Sequence, residues 1–160
     1  MTTRELRNAF GRFPTGVAVV VARAAGGALA GLTVNSVAPV ALAPARLLWS
    51  LGAASRNRPV FEQAEHFAVN VLREDQIELA RRMSSPVADR FAGLAWRPGS
   101  CSGLPLFEGC VAAFECRRSS VAEIGDHVVF VGDIENFEEA GGAPLLYLSG
   151  RYSRLQPATA

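Results

Sequence analysis

The sequence predicts a mainly β protein, an antiparallel barrel of six or seven strands with helices at its edge. β-branched apolar runs recur along the chain, and short turns such as 24–27 and 125–127 join most of them. Helical periodicity is confined to the N terminus and to the region between the third and fifth strands. The 160 residues, 49% of them hydrophobic, suffice for one core, so we expect a single domain over 1–160.

The chain begins with a short helix followed by a β-hairpin. Helical spacing of apolar residues predicts that this helix packs inward through Leu6, Phe10 and Phe13. Pro14 ends the helix. The run GVAVVVAR at 16–23 predicts a strand buried on both faces, and 28–34 returns antiparallel to it.

The remaining elements follow from the same patterns. Further strands are predicted at 45–52, 66–72, 110–124, 127–140 and 143–155. Helices are predicted at 59–67, 75–83 and 86–94, with Asp75 capping the second of them. Within 110–124, Phe114 and Cys116 alternate with Glu115 and Arg117, which is typical of a strand with one solvated face.

Composition excludes several functional classes. The formal net charge is +1, with 16 basic residues, all Arg, against 15 acidic ones, so we expect no nucleic-acid surface. Cys101, Cys110 and Cys116 are an odd number without Cys-x-x-Cys spacing. Because only His66 and His127 could assist them, we expect neither a disulfide framework nor a metal site, and buried cysteines instead.

Hydropathy and charge predict location and assembly. Residues 1–13 are too polar for a signal peptide. The most apolar stretch, 37–54, is interrupted by Pro39, Pro44 and Arg46, whereas a membrane span needs about 20 apolar residues. We therefore expect a soluble, cytoplasmic protein. Charged residues are only 19% of the chain, against about 25% in typical domains, which favours burial of additional surface in an oligomer.

Familiar catalytic motifs are missing from the sequence. It contains neither glycine-rich phosphate motif nor Gly-x-Ser-x-Gly, and its two histidines leave little choice for a nucleophilic triad. Either the protein is not an enzyme, or its reaction needs no protein acid, base or nucleophile. Hydride transfer between two cofactors is such a reaction, because the cofactors carry the chemistry and the protein positions them.

Four stretches are candidate binding elements, and each also has an ordinary structural interpretation. The segment 33–37 places short polar residues in an apolar frame, which suits the edge of a flavin ring or an ordinary hairpin end. The segment 55–57 precedes Pro59 at a predicted helix start and suits a phosphate, or merely caps the helix beside solvated arginines. His127 could donate to a nicotinamide cofactor or remain solvated, and Tyr152 could cover a ring or merely pack.

Together and in this order, the stretches resemble the short-chain flavin reductase family, the reductase components of two-component flavin-dependent monooxygenases. The matching segments are FPTGVAVV (13–20), GLTVNSV (31–37), FAVNVL (67–72) followed by Asp75-Gln76, RFAGLAW (90–96), GLPLFEG (103–109), GDHVVFVG (125–132) and PLLYLSGRY (144–152). The resemblance implies a split β-barrel of the FMN-binding type, usually a homodimer. In such proteins NADH or NADPH reduces FMN or FAD, and the reduced flavin diffuses to a partner oxygenase.

The resemblance also implies which residues bind each cofactor. Flavin contacts would come from Thr33, Val34, Asn35, Ser36, Val37, Ser50, Leu51, Gly52, Ser55, Arg56 and Asn57, the last three at the phosphate. NAD(P)H contacts would come from His127, Tyr152 and Phe91. No catalytic side chain and no metal is implied, since hydride passes from nicotinamide C4 to flavin N5 at close range.

The chain departs from the family pattern at two places. Val37 replaces a usual aromatic residue, and 39–45 lacks the usual serines, acid and second proline, which bears on flavin preference. Two alternatives stay open: a flavin oxidase of the pyridoxamine-phosphate oxidase type, and a non-catalytic protein that binds flavin or another planar cofactor such as haem. The Gly-Asp-His turn at 125–127 and the ending at 151–153 favour the reductases over the first alternative.

Overall fold

The β-branched runs form a seven-stranded sheet in a computed structural model of the protein, which describes residues 1–156. The last part of the predicted domain, 157–160, lies outside the described residues. Within 1–156 the helices are α1 (Thr3–Phe10), α2 (Arg58–Gln63) and α3 (Ile77–Ser84). The strands are β1 (Thr15–Gly16), β2 (Ala18–Arg23), β3 (Leu29–Val34), β4 (Ala38–Leu42), β5 (Ala45–Gly52), β6 (His66–Val71), β7 (Trp96–Pro98), β8 (Pro105–Phe107), β9 (Ala112–Ile124), β10 (His127–Glu139), β11 (Leu146–Leu148) and β12 (Arg151–Ser153).

The large sheet has the strand order β3-β2-β6-β9-β10-β5-β4, and every neighbouring pair is antiparallel. Two small sheets, β1-β11-β12 and β7-β8, lie beside it. The predicted mainly β, antiparallel architecture with few helices is confirmed. The number of strands described in 1–156 exceeds the predicted six or seven, because β4 occupies part of 39–45 and several short strands carry no alternating pattern.

Strand β2 separates two hydrophobic cores, as its continuous apolar run predicts. Val20 and Ala22 face the first core, and Val19 and Val21 face the second. All four side chains are fully buried. The prediction of a strand buried on both faces is therefore confirmed.

The first core is built around Trp49 of β5. The Trp49 ring stacks on Phe130 with centroids 4.6 Å apart and meets Phe61 edge-on at 4.8 Å. Burying a phenylalanine ring of this kind contributes about 1.5–3 kcal/mol. Val34 of β3 and Leu51 of β5 belong to the same core. The sheet is therefore curled, because strands from its two sides enclose one cluster.

The second core lies on the other face of β2 and is covered by helix α3 and the smaller strands. Ala80 and Met83 of α3, Phe107 of β8 and Leu145 pack there and are buried. The Thr33 hydroxyl donates to the Ala80 carbonyl at 2.6 Å and so ties α3 to β3. The helix therefore lies directly over the strand that leads into the 33–37 segment.

The expectation that helix α1 packs inward is wrong. Phe10 and Phe13 are 69% and 75% exposed, and no residue of α1 is buried within the described chain. The helix lies against the β11–β12 hairpin, where Ser149 N–H donates to the Gly11 carbonyl at 2.7 Å. Since this contact uses the end of the helix, Phe10 and Phe13 stay uncovered by residues 1–156, whereas Leu6 is partly buried.

The helix predicted at 86–94 is wrong. The Asp89 carboxylate accepts hydrogen bonds from the backbone N–H groups of Phe91 and Ala92, both at 3.0 Å, and so replaces helical bonds with a turn. The predicted cap at Asp75 is also wrong, because α3 begins at Ile77 and the Asp75 carboxylate pairs with Arg73 at 2.8 Å. Helix α2 ends at Gln63, earlier than the predicted 67.

Candidate functional site

The Asn35-Ser36 turn connects strands from the two sides of the curled sheet. The Ser36 hydroxyl accepts from Ser50 N–H at 3.0 Å and donates to the Ser50 carbonyl at 3.1 Å. The hydroxyls of Ser36 and Thr33 thus both make hydrogen bonds within the protein. Asn35, in contrast, is exposed, so it is the polar side chain of this segment that is open to a ligand.

Several residues that the resemblance assigns to the flavin ring face the core. Val34 and Leu51 are only 8% and 4% exposed and belong to the core around Trp49. Val37 is half-buried and packs against the same core. A ring held at this place would therefore meet the backbone of these residues rather than their side chains.

His127 lies directly opposite Gly52 in the β10–β5 register. The exposed His127 ring bonds to the Asp126 carboxylate, with Nδ1 and Oδ1 2.7 Å apart, and this hydrogen bond lowers the pKa of Asp126. The Asp126 carbonyl also accepts from Ala53 N–H at 2.8 Å. The 125–127 turn is thus fastened to the end of β5, where the predicted ring contacts lie.

The 55–57 segment forms a turn before α2 with one guanidinium facing solvent. The Ser55 hydroxyl accepts from Asn57 N–H at 3.3 Å. Arg58 is held by Glu62 at 2.8 Å and by Glu123 at 2.7 Å. Arg56 is exposed, and within residues 1–156 its guanidinium makes no hydrogen bond or ion pair. Arg56, rather than Arg58, is therefore the arginine available to an anion.

A cleft of about 990 Å³ opens beside this turn. We call it the loop cleft, because it lies between the β2–β3 hairpin, the 55–57 turn and the 86–91 loop, with Trp96 at one wall. Four of the predicted site residues line it: Ser55, Arg56, Asn57 and Phe91. The predicted phosphate contacts and Phe91 are therefore brought together.

Phe91 is held in the loop cleft by close packing. Its ring stacks on Phe107 with centroids 6.2 Å apart. A Cβ atom at Gly31 would lie 2.8 Å from the Phe91 ring. The ring therefore approaches the β3 backbone so closely that only glycine fits at position 31 without a shift. The Arg90 guanidinium donates to the Gly31 carbonyl at 2.8 Å and fixes the loop on the same strand.

A second cleft of about 830 Å³, the helix cleft, lies between α1 and the β11–β12 hairpin. Asn35 and Tyr147 line it together with α1 residues such as Arg7. Tyr152 does not line it but packs edge-on against Tyr147, with ring centroids 5.6 Å apart. Burial raises the pKa of Tyr152. Tyr152 therefore lines neither cleft, and its ring contacts Tyr147, which lines the helix cleft.

Some residues that line the clefts were not predicted as site residues from the sequence. Arg7 and Phe13 belong to a segment expected to pack inward, yet they line the helix cleft beside Asn35. Trp96 and Arg90 line the loop cleft. Only the RFAGLAW match at 90–96 drew attention to the latter pair, and it did not indicate a role.

The most perturbed carboxylate lies outside both clefts. Glu115 was expected on a solvated face, but it is only 1% exposed, because the loop 99–104 covers it. Burial raises the pKa of Glu115, but hydrogen bonds from Asn136, Ser102 and Cys101 outweigh burial and lower the pKa to about 2. This carboxylate therefore anchors a loop as an anion.

The cysteines and histidines build no metal site in the part of the chain that the structure describes, where no group of three or more potential ligands occurs. Cys110 and Cys116 are buried, as expected, and burial raises the pKa of the Cys116 thiol to about 12. Cys101 is exposed, which corrects that part of the expectation. Across residues 1–156, no helix has the length and apolar character that crossing a membrane requires.

Comparison with known proteins identifies the family. The family described as "Flavin reductase like domain" matches residues 10–156. The chain is 40% identical over 152 residues to the "FMN reductase (NADH) SmoA" of Agrobacterium fabrum, which covers 95% of this chain and 86% of that protein. It is 44% identical over 149 residues to the "Flavin-dependent trigonelline monooxygenase, reductase component" of Acinetobacter baylyi. That match covers 93% of this chain, which spans about half the length, 48%, of the Acinetobacter protein.

Solved structures agree with the sequence matches. The chain superposes with a TM-score of 0.92 on the Streptomyces globisporus NADH:FAD oxidoreductase SgcE6 in complex with NAD and FAD fragments. The two are 33% identical, and the match covers 98% of this chain and 94% of that one. Because the family match spans most of the chain and the relatives share more than a third of its residues, the chain belongs to the flavin reductase like domain family.

Proposed function

We propose that the protein is an NAD(P)H:flavin oxidoreductase that reduces FMN or FAD and supplies the reduced flavin to a flavin-dependent oxygenase. The relative in Agrobacterium fabrum is named an NADH-dependent FMN reductase, and the Acinetobacter relative a reductase component of a flavin-dependent monooxygenase. The structural relative from Streptomyces is an NADH:FAD oxidoreductase bound to NAD and FAD fragments. These names support both the electron donor and the flavin.

The observation that carries the proposal is a strip of neighbouring residues along strand β5. Ser36 bonds to Ser50, and two residues further along β5 Gly52 pairs with His127. Paired residues in antiparallel strands lie roughly 5 Å apart. The strip therefore joins the residues that the resemblance assigns to the flavin edge with the one it assigns to the nicotinamide, which suits two rings stacked at close range.

The side chains present fit a flavin phosphate and a polar ring edge. Arg56 presents an exposed guanidinium at the turn 55–57 that makes no ion pair within residues 1–156, and charge-assisted hydrogen bonds from guanidinium groups suit phosphate. Asn35 offers an exposed amide at the other end of the strip. The chemistry supplied by the bound cofactors is hydride transfer from the nicotinamide to the flavin. The protein's part is to bind and align them, and no protein acid or base is needed.

The same proposal covers the assembly. A single domain over 1–160 with a split β-barrel accords with a curled sheet in which Ser36 and Ser50 meet. A homodimer would cover the exposed rings of Phe10 at the end of α1 and of Phe13 just after it, and would place a second chain beside the helix cleft. The oxygenase partner would receive reduced flavin by diffusion.

The proposal is tested by following NADH absorbance with purified protein and FMN, FAD, riboflavin or no added flavin, and by repeating the series with NADPH. We expect turnover that saturates with added flavin. Turnover without dependence on added flavin would indicate a tightly bound cofactor and an oxidase. Absence of turnover together with a flavin-dependent rise in Tm would indicate a flavin carrier and overturn the reductase assignment.

A further inference from the structure

A shallow apolar groove lies at the base of the β9–β10 hairpin, at the opposite end from the 125–127 turn. We call it the hairpin-base groove; it has a volume of about 400 Å³, and its apolar lining includes Val111, Phe114, Phe137 and Pro144. Phe114 and Phe137 are direct partners in the β9–β10 register, and their rings stack with centroids 6.4 Å apart. Phe137 is 66% exposed, so the groove presents an aromatic ring to solvent.

The rim of the hairpin-base groove is acidic. Glu138 and Glu139 both line it. Glu138 pairs with Arg97, whereas the Glu139 carboxylate makes no ion pair within residues 1–156. Arg73 lies beside Gly142 in the groove, but its guanidinium is paired with Asp75. The groove therefore carries one carboxylate without a counter-charge, and it suits a partner that is both apolar and basic.

A surface of this complementary character lies on the same chain, at the end of helix α1. Phe10 and Phe13 are 69% and 75% exposed, and they line the helix cleft together with Arg7 and Arg12. Neither arginine makes an ion pair within residues 1–156. Exposed rings beside uncompensated guanidinium groups match an aromatic groove with an uncompensated carboxylate at its rim.

The two surfaces are connected by one short segment. Pro144 lines the hairpin-base groove, and Ser149 lines the helix cleft. The five steps between these residues span at most about 18 Å. Phe10 and Phe137 nevertheless both remain exposed, so the two surfaces do not cover each other within one chain. A two-fold axis between neighbouring complementary surfaces brings each of them onto its counterpart in a second copy.

We propose that the hairpin-base groove binds the end of helix α1, residues 10–13, of a second copy of this chain, and that the contact is reciprocal in a two-fold dimer. This inference rests on the homodimer of the proposed function and identifies the two surfaces that form it. Phe137 would pack on the exposed rings, and Glu139 would face Arg12 of the partner subunit. The two-fold axis makes the contact twice, which doubles the buried area towards the roughly 800 Å² per partner of a stable interface.

Sedimentation equilibrium of the full chain over a range of concentrations measures the dimer dissociation constant and so tests the apolar part of the contact. The variant is Phe137→Ser. Ile124→Ser is the matched control, because Ile124 is 63% exposed at the other end of β9. Each substitution occurs twice in the dimer, so we expect Phe137→Ser to raise the dimer dissociation constant by roughly 100-fold and the control to leave it unchanged.

Charge reversal tests the pairing without removing a ring. Glu139→Arg and Arg12→Glu are each expected to raise the dimer dissociation constant by roughly 10-fold, because each places like charges opposite each other. The double variant restores opposite charges, and we expect its dissociation constant to return to within roughly 3-fold of the wild-type value. This recovery depends on the two positions facing each other, so misfolding of a single variant does not imitate it.

The outcomes separate the inference from the proposed function. A dimer that Phe137→Ser leaves at wild-type strength, or a double variant no tighter than the single ones, would overturn the inference and leave the homodimer standing. A wild-type chain that is monomeric at every concentration would overturn both. NADH oxidation with added flavin is measured on the same samples. A dimer that responds to the variants as expected but reduces no flavin would support the inference and contradict the reductase activity.

Discussion

Ser36 and Ser50 meet through both backbone polar groups of Ser50. The Ser36 hydroxyl accepts from the Ser50 N–H at 3.0 Å and donates to the Ser50 carbonyl at 3.1 Å, so one side chain replaces a pair of ladder hydrogen bonds. Since Ser36 lies just after β3 and Ser50 lies within β5, the contact holds the curl of the sheet. It also leaves the hydroxyl occupied at a position where the resemblance predicts a flavin contact.

Replacing Ser36 with Ala is expected to destabilise the fold. Both Ser50 groups would lose their partner in a half-buried place, and leaving such groups unsatisfied costs about 1–3 kcal/mol. Denaturant unfolding measures the change in the free energy of unfolding. Ser120→Ala, at an exposed serine of β9, is the matched control and should leave the midpoint unchanged. Equal midpoints for Ser36→Ala and wild type would show that the two hydrogen bonds are not structural.

His127→Ala is expected to raise the KM for NAD(P)H and to leave flavin affinity near the wild-type value. The exposed ring makes one hydrogen bond within residues 1–156, to its neighbour Asp126, so its removal affects a ligand more than the fold. Loss of one or two ligand hydrogen bonds corresponds to roughly 10-fold in KM. His66→Ala is the control, because His66 pairs with Glu135 on β10, away from the Gly52 end of β5. A KM unchanged from wild type would remove His127 from the nicotinamide site.

Charge reversal at Arg56 is expected to weaken FMN far more than riboflavin. Riboflavin lacks the phosphate, so the difference between the two flavins isolates the charge-assisted contact, worth roughly 10- to 100-fold in the dissociation constant. Fluorescence titration of Arg56→Glu with both flavins measures the difference. Arg4→Glu, at an exposed arginine of α1, provides the same change of net charge elsewhere. Equal losses for FMN and riboflavin would show that 55–57 is not a phosphate site.

The strands were predictable where local sequence and tertiary burial agree. The run at 16–23 is apolar at every central position, and β2 is buried on both faces, so no knowledge of its neighbours was needed. The turn at 125–127 was equally predictable from its sequence. In the structure Gly125 has a φ of 60°, and the flanking strands pair antiparallel around the turn. Such signals arise within a few residues of the chain.

The errors arose where a side-chain hydrogen bond or a distant segment overrides the apolar spacing. The 86–94 region has helical spacing, but the Asp89 side chain takes over its backbone N–H groups. Glu115 alternates like a solvated residue, yet the 99–104 loop folds over it. The apolar face of α1 resembles a core face, although no element of residues 1–156 covers Phe10. The loop cleft was equally beyond local reasoning, because three separate segments form it.

Gly31→Ala is expected to displace Phe91 and lower stability. The added Cβ would lie 2.8 Å from the Phe91 ring and 3.3 Å from the Met83 sulfur, and Phe91 cannot retreat freely because it stacks on Phe107. Overpacking of this kind costs about 1–3 kcal/mol. Thermal unfolding of Gly31→Ala beside Gly26→Ala measures it, since a Cβ at Gly26 meets nothing within 4 Å. A Tm equal to that of the Gly26 variant would show that the Phe91 ring is free to move.

The buried Glu115 carboxylate makes stability depend on pH in the acid range. Its pKa in the folded protein is about 2, against 4.5 for an ordinary Glu, because Asn136, Ser102 and Cys101 donate to it strongly enough to outweigh burial. A lowered folded-state pKa stabilises the protein fully above the unfolded value, and that stabilisation is lost as pH falls from about 5 towards 2. The shift corresponds to roughly 3 kcal/mol at about 1.4 kcal/mol per unit.

Glu115→Gln is therefore expected to destabilise the protein at pH 7 and to reduce the loss of stability on acidification. Other carboxylates with lowered pKa values, such as Asp133 beside Arg46, remain in the variant, so the difference between the two proteins isolates Glu115. Urea unfolding at pH 7, 5, 4 and 3 measures the gap in the free energy of unfolding. We expect the gap to be largest at neutral pH, where the wild-type carboxylate is ionised in both folded and unfolded states, and to narrow below pH 4 as protonation of the unfolded state removes the wild-type advantage. A gap that stays constant over this range would mean that Glu115 stabilises the 99–104 loop by its shape and not by its charge.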